Sequence, residues 1–356
     1  MVLAGVEPRL SLRSRCALVG GSMDLRALCA AGLAASLWLP RPALADCKLA
    51  AIDIPVTMVG RRLLVTAKLN GQDEKFVIDS GAFANAVSAR AAKADKLQPV
   101  KIESTGSRVM TDGVSDVWGV GGDTASVLVT AATFEIAGGK FSKVPFLTFP
   151  ALGDEAGLIG QNFLHVMDVE YDVSHDKMRL VQPEGCEHVN MAYWATDGNV
   201  SEVPLLDSDE DNRNTSAMIE VNGVKMRATF DTGAETSFIT RGAAARAGVK
   251  VTDAGVRAAT DSRGVDGRPV KTWAARFAKV KVGGEEISNG WLSIGDTSMD
   301  DTDILIGADF FLAHRIYVAN SQNQLYFSYV GGKVFDVGAA PEPVAAGDKT
   351  PKPAAK

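Results

Sequence analysis

The sequence predicts an all-β protein made of two tandem copies of one unit, and three observations carry that expectation. Matching motifs recur through the chain at a spacing of about 150 residues, the mark of an internal repeat. Glycine is abundant, at 35 of 356 residues, while aromatic residues make up only 7%; that mix suits strands joined by tight turns, because glycine supplies the positive φ angles such turns use. Short apolar runs flank Asn-Gly pairs, a strong local signal for a β-hairpin.

The repeat is visible motif by motif. Asn70-Gly71 recurs as Asn222-Gly223, and Asp79-Ser80-Gly81-Ala82 recurs as Asp231-Thr232-Gly233-Ala234, both at a shift of 152. Ala91-Ala92 returns as Ala243-Ala244 at the same shift. Further on, Gly119-Val120-x-Gly122 matches Gly264-Val265-x-Gly267, and Gly138-Gly139 matches Gly283-Gly284, at a shift of 145. Leu158-Ile159-Gly160 matches Leu305-Ile306-Gly307 at 147, with Phe163 and Phe310 three residues on. Six matches in the same order, with the shift drifting only as loop insertions would make it, mean two copies of one unit.

Each copy reads mostly as strands. Residues 62–69 precede the first Asn-Gly turn and 74–78 follow it; 216–221 and 224–230 repeat the hairpin. The alanine-rich stretches 88–96 and 240–248 suit short helices, as do 160–166 and 307–313 after their glycines. Further strands are expected over 141–150, 177–181 and 324–330. The first lobe is assigned to 46–186, a linker to 187–201 and the second lobe to 202–336. The Ala/Pro/Lys-rich tail, 337–356, has too little apolar content to bury a core.

Residues 1–45 read as a secretory signal peptide, with the start possible at Met23. Arg26 precedes the apolar run from Ala27 to Leu39, and Ala43-Leu44-Ala45 offers the small residues of a cleavage site. The run is short for a bilayer span, so no stable membrane insertion is expected after cleavage, and the chain is expected in the periplasm or outside the cell. The formal charge is −6, and it becomes more negative once five arginines and two acids leave with residues 1–45. An acidic chain without basic clusters excludes nucleic acid as the expected partner. Cys47 and Cys186 remain after cleavage, an even pair in an oxidising compartment, and are read as a structural disulfide.

The chemistry lies in the repeated Asp-Ser/Thr-Gly. Phe76-Val77-Ile78 and Ala228-Thr229-Phe230 each deliver an aspartate to the end of an apolar strand, where a charge is costly unless it is paired or used. Two such sites related by a repeat can face each other across a pseudo-twofold axis. At these residues the chain resembles the retropepsin-like aspartic proteases, in a single-chain, two-lobed, bacterial secreted form. The resemblance covers both halves, with Asp79-Ser80-Gly81 and Asp231-Thr232-Gly233 matching the catalytic loop, and Leu158-Ile159-Gly160 and Leu305-Ile306-Gly307 matching the element that supports it.

The resemblance implies two closed β-barrel lobes, an interlobe cleft, and an aspartic-type endopeptidase whose dyad, Asp79 and Asp231, activates a water. Ser80 and Thr232 would stiffen the two loops across the interface, while Gly81 and Gly233 let backbone N–H groups turn toward the carboxylates. Glycine-rich flaps are expected at Gly119, Val120, Gly121 and Gly122, and at Gly264, Val265, Asp266 and Gly267. No cofactor or metal is called for. The partner is a protein or peptide substrate, and a monomer suffices because the chain carries both lobes. A peptide-binding or structural envelope protein on the same scaffold is the alternative, and both aspartates being present argues against it. The arginine that follows the later glycine in viral members is replaced by Gln161 and Ala308, and in the first half its acidic partner is replaced by Phe83. Asp207, Asp209 and Asp211 have calcium-loop spacing but lack its glycine and its final glutamate, so they read as a solvated acidic loop.

Overall fold

The computed structural model describes residues 47–100, 114–119, 122–149, 154–207, 213–264, 268–299 and 301–337. The signal-peptide reading, the tail beyond 337, Asp209, Asp211 and the flap residues Val120, Gly121, Val265, Asp266 and Gly267 lie outside them.

The fold is all-β, with two closed six-stranded barrels in tandem. In the first, Arg62–Leu69 pairs with Gln72–Ile78, which runs parallel to Gly157–Ile159; Ala86–Ser88, Gly139–Phe149 and Gly122–Ile136 follow in spatial order. Pairing of Lys68 with Glu135 and Leu69 with Phe134 closes the ring. In the second barrel Ser216–Val221, Val224–Phe230, Ile304–Ile306, Phe238–Thr240, Glu285–Gly295 and Thr272–Val282 repeat the order, and Glu220 with Lys281 and Val221 with Val280 close it. Closure removes the unpaired edges that an open sheet would expose.

Side-chain alternation explains why these strands curl around a core. Leu63, Val65, Ala67 and Leu69 point inward while Thr66 and Lys68 are exposed. Phe76, Phe134 and Phe146 meet at the centre of the first barrel with ring centroids 5.4–6.2 Å apart. Each hairpin turn places its asparagine at positive φ, 49° at Asn70 and 50° at Asn222, a conformation asparagine tolerates. The side chain then ties three elements together. Asn70 Nδ2 donates to Asp95 O at the end of the Ala89–Ala94 helix and Oδ1 accepts from Thr133 N; Asn222 does the same with Ala247 O and Lys279 N. Ser88 and Thr240 cap the helices Ala89–Ala94 and Arg241–Arg246, which bury the repeated pairs Ala91-Ala92 and Ala243-Ala244.

The barrels are joined by a sheet to which both halves contribute. Its six strands lie in the order Ser201–Pro204, Gln324–Tyr329, His314–Ala319, Asp168–Asp172, Lys177–Glu184 and Lys48–Val59. The seam between halves is antiparallel, with Val169 opposite Val318 and Tyr171 opposite Ile316. Cys47 and Cys186 form a disulfide beside the first pair of the outer ladder, Lys48 opposite Glu184. The segment assigned as a linker packs on this sheet: Met191 and Ala192 are buried with Tyr317 and Tyr326, and Trp194 Nε1 donates to Ser328 Oγ at 2.8 Å.

Candidate active site

Asp79 and Asp231 occupy equivalent positions just past the ends of strands Gln72–Ile78 and Val224–Phe230. Each loop is fixed first by its own half. Asp79 N donates to Ile159 O at 3.0 Å and Asp231 N to Ile306 O at 2.8 Å, so the Leu-Ile-Gly strands hold the aspartate backbones. On the far side of each turn, Gln161 N donates to Ala82 O and Ala308 N to Ala234 O, both at 2.8 Å. The carboxylates accept from the following turn: Asp79 Oδ1 takes Gly81 N and Ala82 N, and Asp231 Oδ1 takes Gly233 N and Ala234 N.

Each loop is then fixed by the other half. Ser80 N donates to Thr232 Oγ1 and Thr232 N to Ser80 Oγ, both at 3.0 Å. The same hydroxyls donate onward, Ser80 Oγ to Phe230 O and Thr232 Oγ1 to Ile78 O, both at 2.7 Å. Both residues are 2% exposed, so four hydrogen bonds lock the loops together away from water. The two aspartates are brought face to face by the same exchange. A Cβ on Gly81 would lie 2.3 Å from Asp231 Cγ, and one on Gly233 would lie 2.5 Å from Asp79 Cγ. Glycine is required at both positions because the opposing carboxylate fills the space a side chain would take.

The electrostatics follow from this approach. Burial raises the pKa of Asp79 well above the ordinary carboxylate range, and the charge of Asp231 and a hydrogen bond to it push further the same way. Burial also raises Asp231, while donors from Gly233, Asp79 and Ala234 pull it back. Both aspartates remain half-buried, so the pair is desolvated on its protein side and reachable from the other. Two carboxyl groups so placed hold a proton between them more readily than either would alone.

Several supporting roles could not be read from the sequence. Gln161, in the place of the family arginine, is 2% exposed; its Nε2 donates to Ser80 O at 2.7 Å and to Thr215 Oγ1 at 3.2 Å. Its counterpart Ala308 has no such reach, and Phe83, in place of the acidic partner, is 43% exposed. A neutral amide thus braces the first loop without an ion pair. Tyr171 lies under the same loop, where burial raises its phenol and a hydrogen bond with Ser80 acts the other way. Asn85 and Ser237 accept from Gly160 N and Gly307 N, both at 2.9 Å. Their repeat shift of 152 was available in the sequence, but the residue types differ and carry no signal alone.

Of the expected flap residues, Gly119, Gly122 and Gly264 are described; Gly119 and Gly122 form the last pair of the ladder between Val114–Gly119 and Gly122–Ile136. Gly264 follows the short strand Ser262–Arg263, which pairs with Pro269–Val270. Hairpins therefore stand at the same place in both halves, between the aspartate loop and the Leu-Ile-Gly strand. Trp273 is half-buried against the core, with Lys271 Nζ 5.2 Å from its ring centroid.

Comparison with known families divides the chain at the repeat. Residues 65–166 match the gag-polyprotein aspartyl protease family, and residues 217–310 match a second aspartyl protease family. No curated protein matches the chain. Each matched segment contains one aspartate loop and one Leu-Ile-Gly strand.

Proposed function

We propose that this chain, each half of which matches an aspartyl protease family, is an endopeptidase that cuts protein substrates with Asp79 and Asp231 acting as one dyad. The observation that carries this reading is the reciprocal approach of each carboxylate to the opposite loop's glycine, within 2.3–2.6 Å of where a Cβ would stand. Such closeness favours a singly protonated pair, which is what the chemistry needs.

In this mechanism the ionised member takes a proton from a water as its oxygen bonds to the scissile carbonyl carbon. The protonated member donates its proton to the carbonyl oxygen, giving a neutral tetrahedral diol. Collapse breaks the C–N bond, and the departing nitrogen takes a proton from the dyad as the diol returns its hydroxyl proton, which restores the singly protonated pair. The Ser80–Thr232 exchange keeps the carboxyl groups in register through these transfers. Substrate would lie extended along the seam between barrels, making strand-like backbone hydrogen bonds. The chain supplies both aspartates itself, so a monomer is the proposed working form. Export to the periplasm or beyond is proposed from the apolar leader and the Cys47–Cys186 disulfide; no helix among the described residues is long and apolar enough to cross a membrane.

A peptide carrying a hydroxyl-bearing tetrahedral carbon in place of the scissile amide tests the reading. It should inhibit cleavage and bind at least about 10²-fold tighter than the matching amide peptide, as a transition-state analogue does. Equal affinity for the two peptides, without inhibition, would assign the site to binding alone.

A further inference from the structure

The two aspartate loops are braced by the same relay of hydrogen bonds, with one chemical difference. In the first half Asn162 Oδ1 accepts from Asn85 N at 2.9 Å, and Asn85 Oδ1 accepts from Gly160 N at 2.9 Å. In the second half Asp309 Oδ1 accepts from Ser237 N at 2.8 Å and Ser237 Oγ at 2.7 Å, and Ser237 Oγ accepts from Gly307 N at 2.9 Å. Each relay ends on the glycine next to the isoleucine whose carbonyl holds an aspartate backbone N–H. A neutral amide heads the first relay and a carboxyl group heads the second.

The carboxyl is badly placed to carry a charge. Asp309 is 2% exposed, its neighbours Phe310 and Phe311 are buried, and its Oδ2 meets no hydrogen-bond partner among the described residues. Oδ1 can accept in either state, but ionisation leaves charge on a buried Oδ2 that no donor meets, which costs more than the unpaired O–H that the neutral acid places there. Arg61 is the charged group that favours ionisation, and its guanidinium is engaged by the backbone and side chain of Asp336. His314, stacked on the Phe310 ring, is taken up by Phe310 O and Glu285. Burial outweighs the favourable contacts and raises the Asp309 pKa to about 6.

We propose that Asp309 is a positioning residue that works in its protonated form, so that its ionisation loosens the second aspartate loop while the first, headed by Asn162, is unaffected. The protein then carries an acid-favouring switch outside the dyad. Its sign is fixed by linkage: a carboxyl whose folded pKa lies above the ordinary 3.8 contributes stability fully below that value and loses it as pH rises through about 6. The activity consequence rests on the proteolytic reading; the stability consequence does not.

Thermal unfolding between about pH 4 and about pH 7 separates the two. It is run in an Asp79→Asn, Asp231→Asn background, so that the dyad's own titration is out of the measurement. The parent should lose several degrees of Tm across this range, and Asp309→Asn, which keeps the Oδ1 acceptor but cannot ionise, should lose clearly less. Asn162→Asp puts a carboxyl at the head of the first relay and should steepen the fall. Curves for Asp309→Asn and Asn162→Asp that run parallel to the parent would overturn the proposal. With the dyad restored, Asp309→Asn should hold kcat/KM to higher pH than the wild type; an unchanged profile would also count against it. The unfolding comparison decides the matter whether or not the protein cleaves peptides.

Discussion

Gly81 and Gly233 are constrained by residues more than a hundred positions away, because each faces the other half's carboxylate. Alanine at either position puts a methyl group inside van der Waals contact of the opposing aspartate and must move it. The expected outcome for Gly81→Ala is a fall in kcat of about 10²-fold or more with the fold retained, checked by turnover beside a circular dichroism melt. Ser80 and Thr232 differ in kind, since each hydroxyl both accepts and donates across the buried interface. Thr232→Ala leaves Ser80 N and Ile78 O unpaired and should cost about 2–4 kcal/mol in chemical denaturation, while Thr232→Ser should restore most of it. The dyad also sets a pH dependence. Both carboxyl pKa values are raised, so their contribution to stability is complete below the ordinary 3.8 and is lost as pH rises through the raised values. Urea midpoints of the wild type should therefore fall with rising pH more steeply than those of the Asp79→Asn, Asp231→Asn protein.

Among the elements, the Asn-Gly hairpins show what the sequence could and could not tell. Their position, their partner strands and the short helices after them were legible, because turn chemistry and strand pattern are local signals and the duplication printed each one twice. The second job of the asparagines was not. Asn70 and Asn222 bridge a helix end to a distant strand through both side-chain groups, which local pattern does not encode. Asn222→Ala loses those two bonds and the tolerance of positive φ, with an expected cost of about 2–3 kcal/mol in denaturant titration. The braces behind the aspartate loops were illegible for a related reason: Asn85 and Ser237, or Asn162 and Asp309, do the same work with different residue types, so the repeat is chemical rather than literal there. Gln161 was visible only as a departure from the family pattern, and its contact with Ser80 O came from the fold.

For the whole molecule, the sequence-based reading of two lobes and a linker missed the sheet that joins them. Its seam pairs Asp168–Asp172 with His314–Ala319, strands so far apart in sequence that no local pattern announces their contact. Charges are buried at this seam. Glu170, 1% exposed, accepts from Arg315 Nε at 2.7 Å and from Tyr193 Oη at 2.5 Å, and Arg315 stacks over Trp194. The disulfide closes a span of 139 residues at the edge of the same sheet; replacing Cys47 by Ser should lower stability by up to about 5 kcal/mol, read from the denaturation midpoint with and without reductant. These ties matter because the proposed chemistry needs the two barrels held in one register, with one aspartate from each. The most direct test is cleavage of an unfolded protein mixture by the wild type, by Asp79→Asn and by Asp231→Asn, from acidic to neutral pH. The account predicts that the wild type cuts and that each single substitution abolishes cutting while leaving the protein folded; cleavage that survives either substitution would contradict a shared dyad.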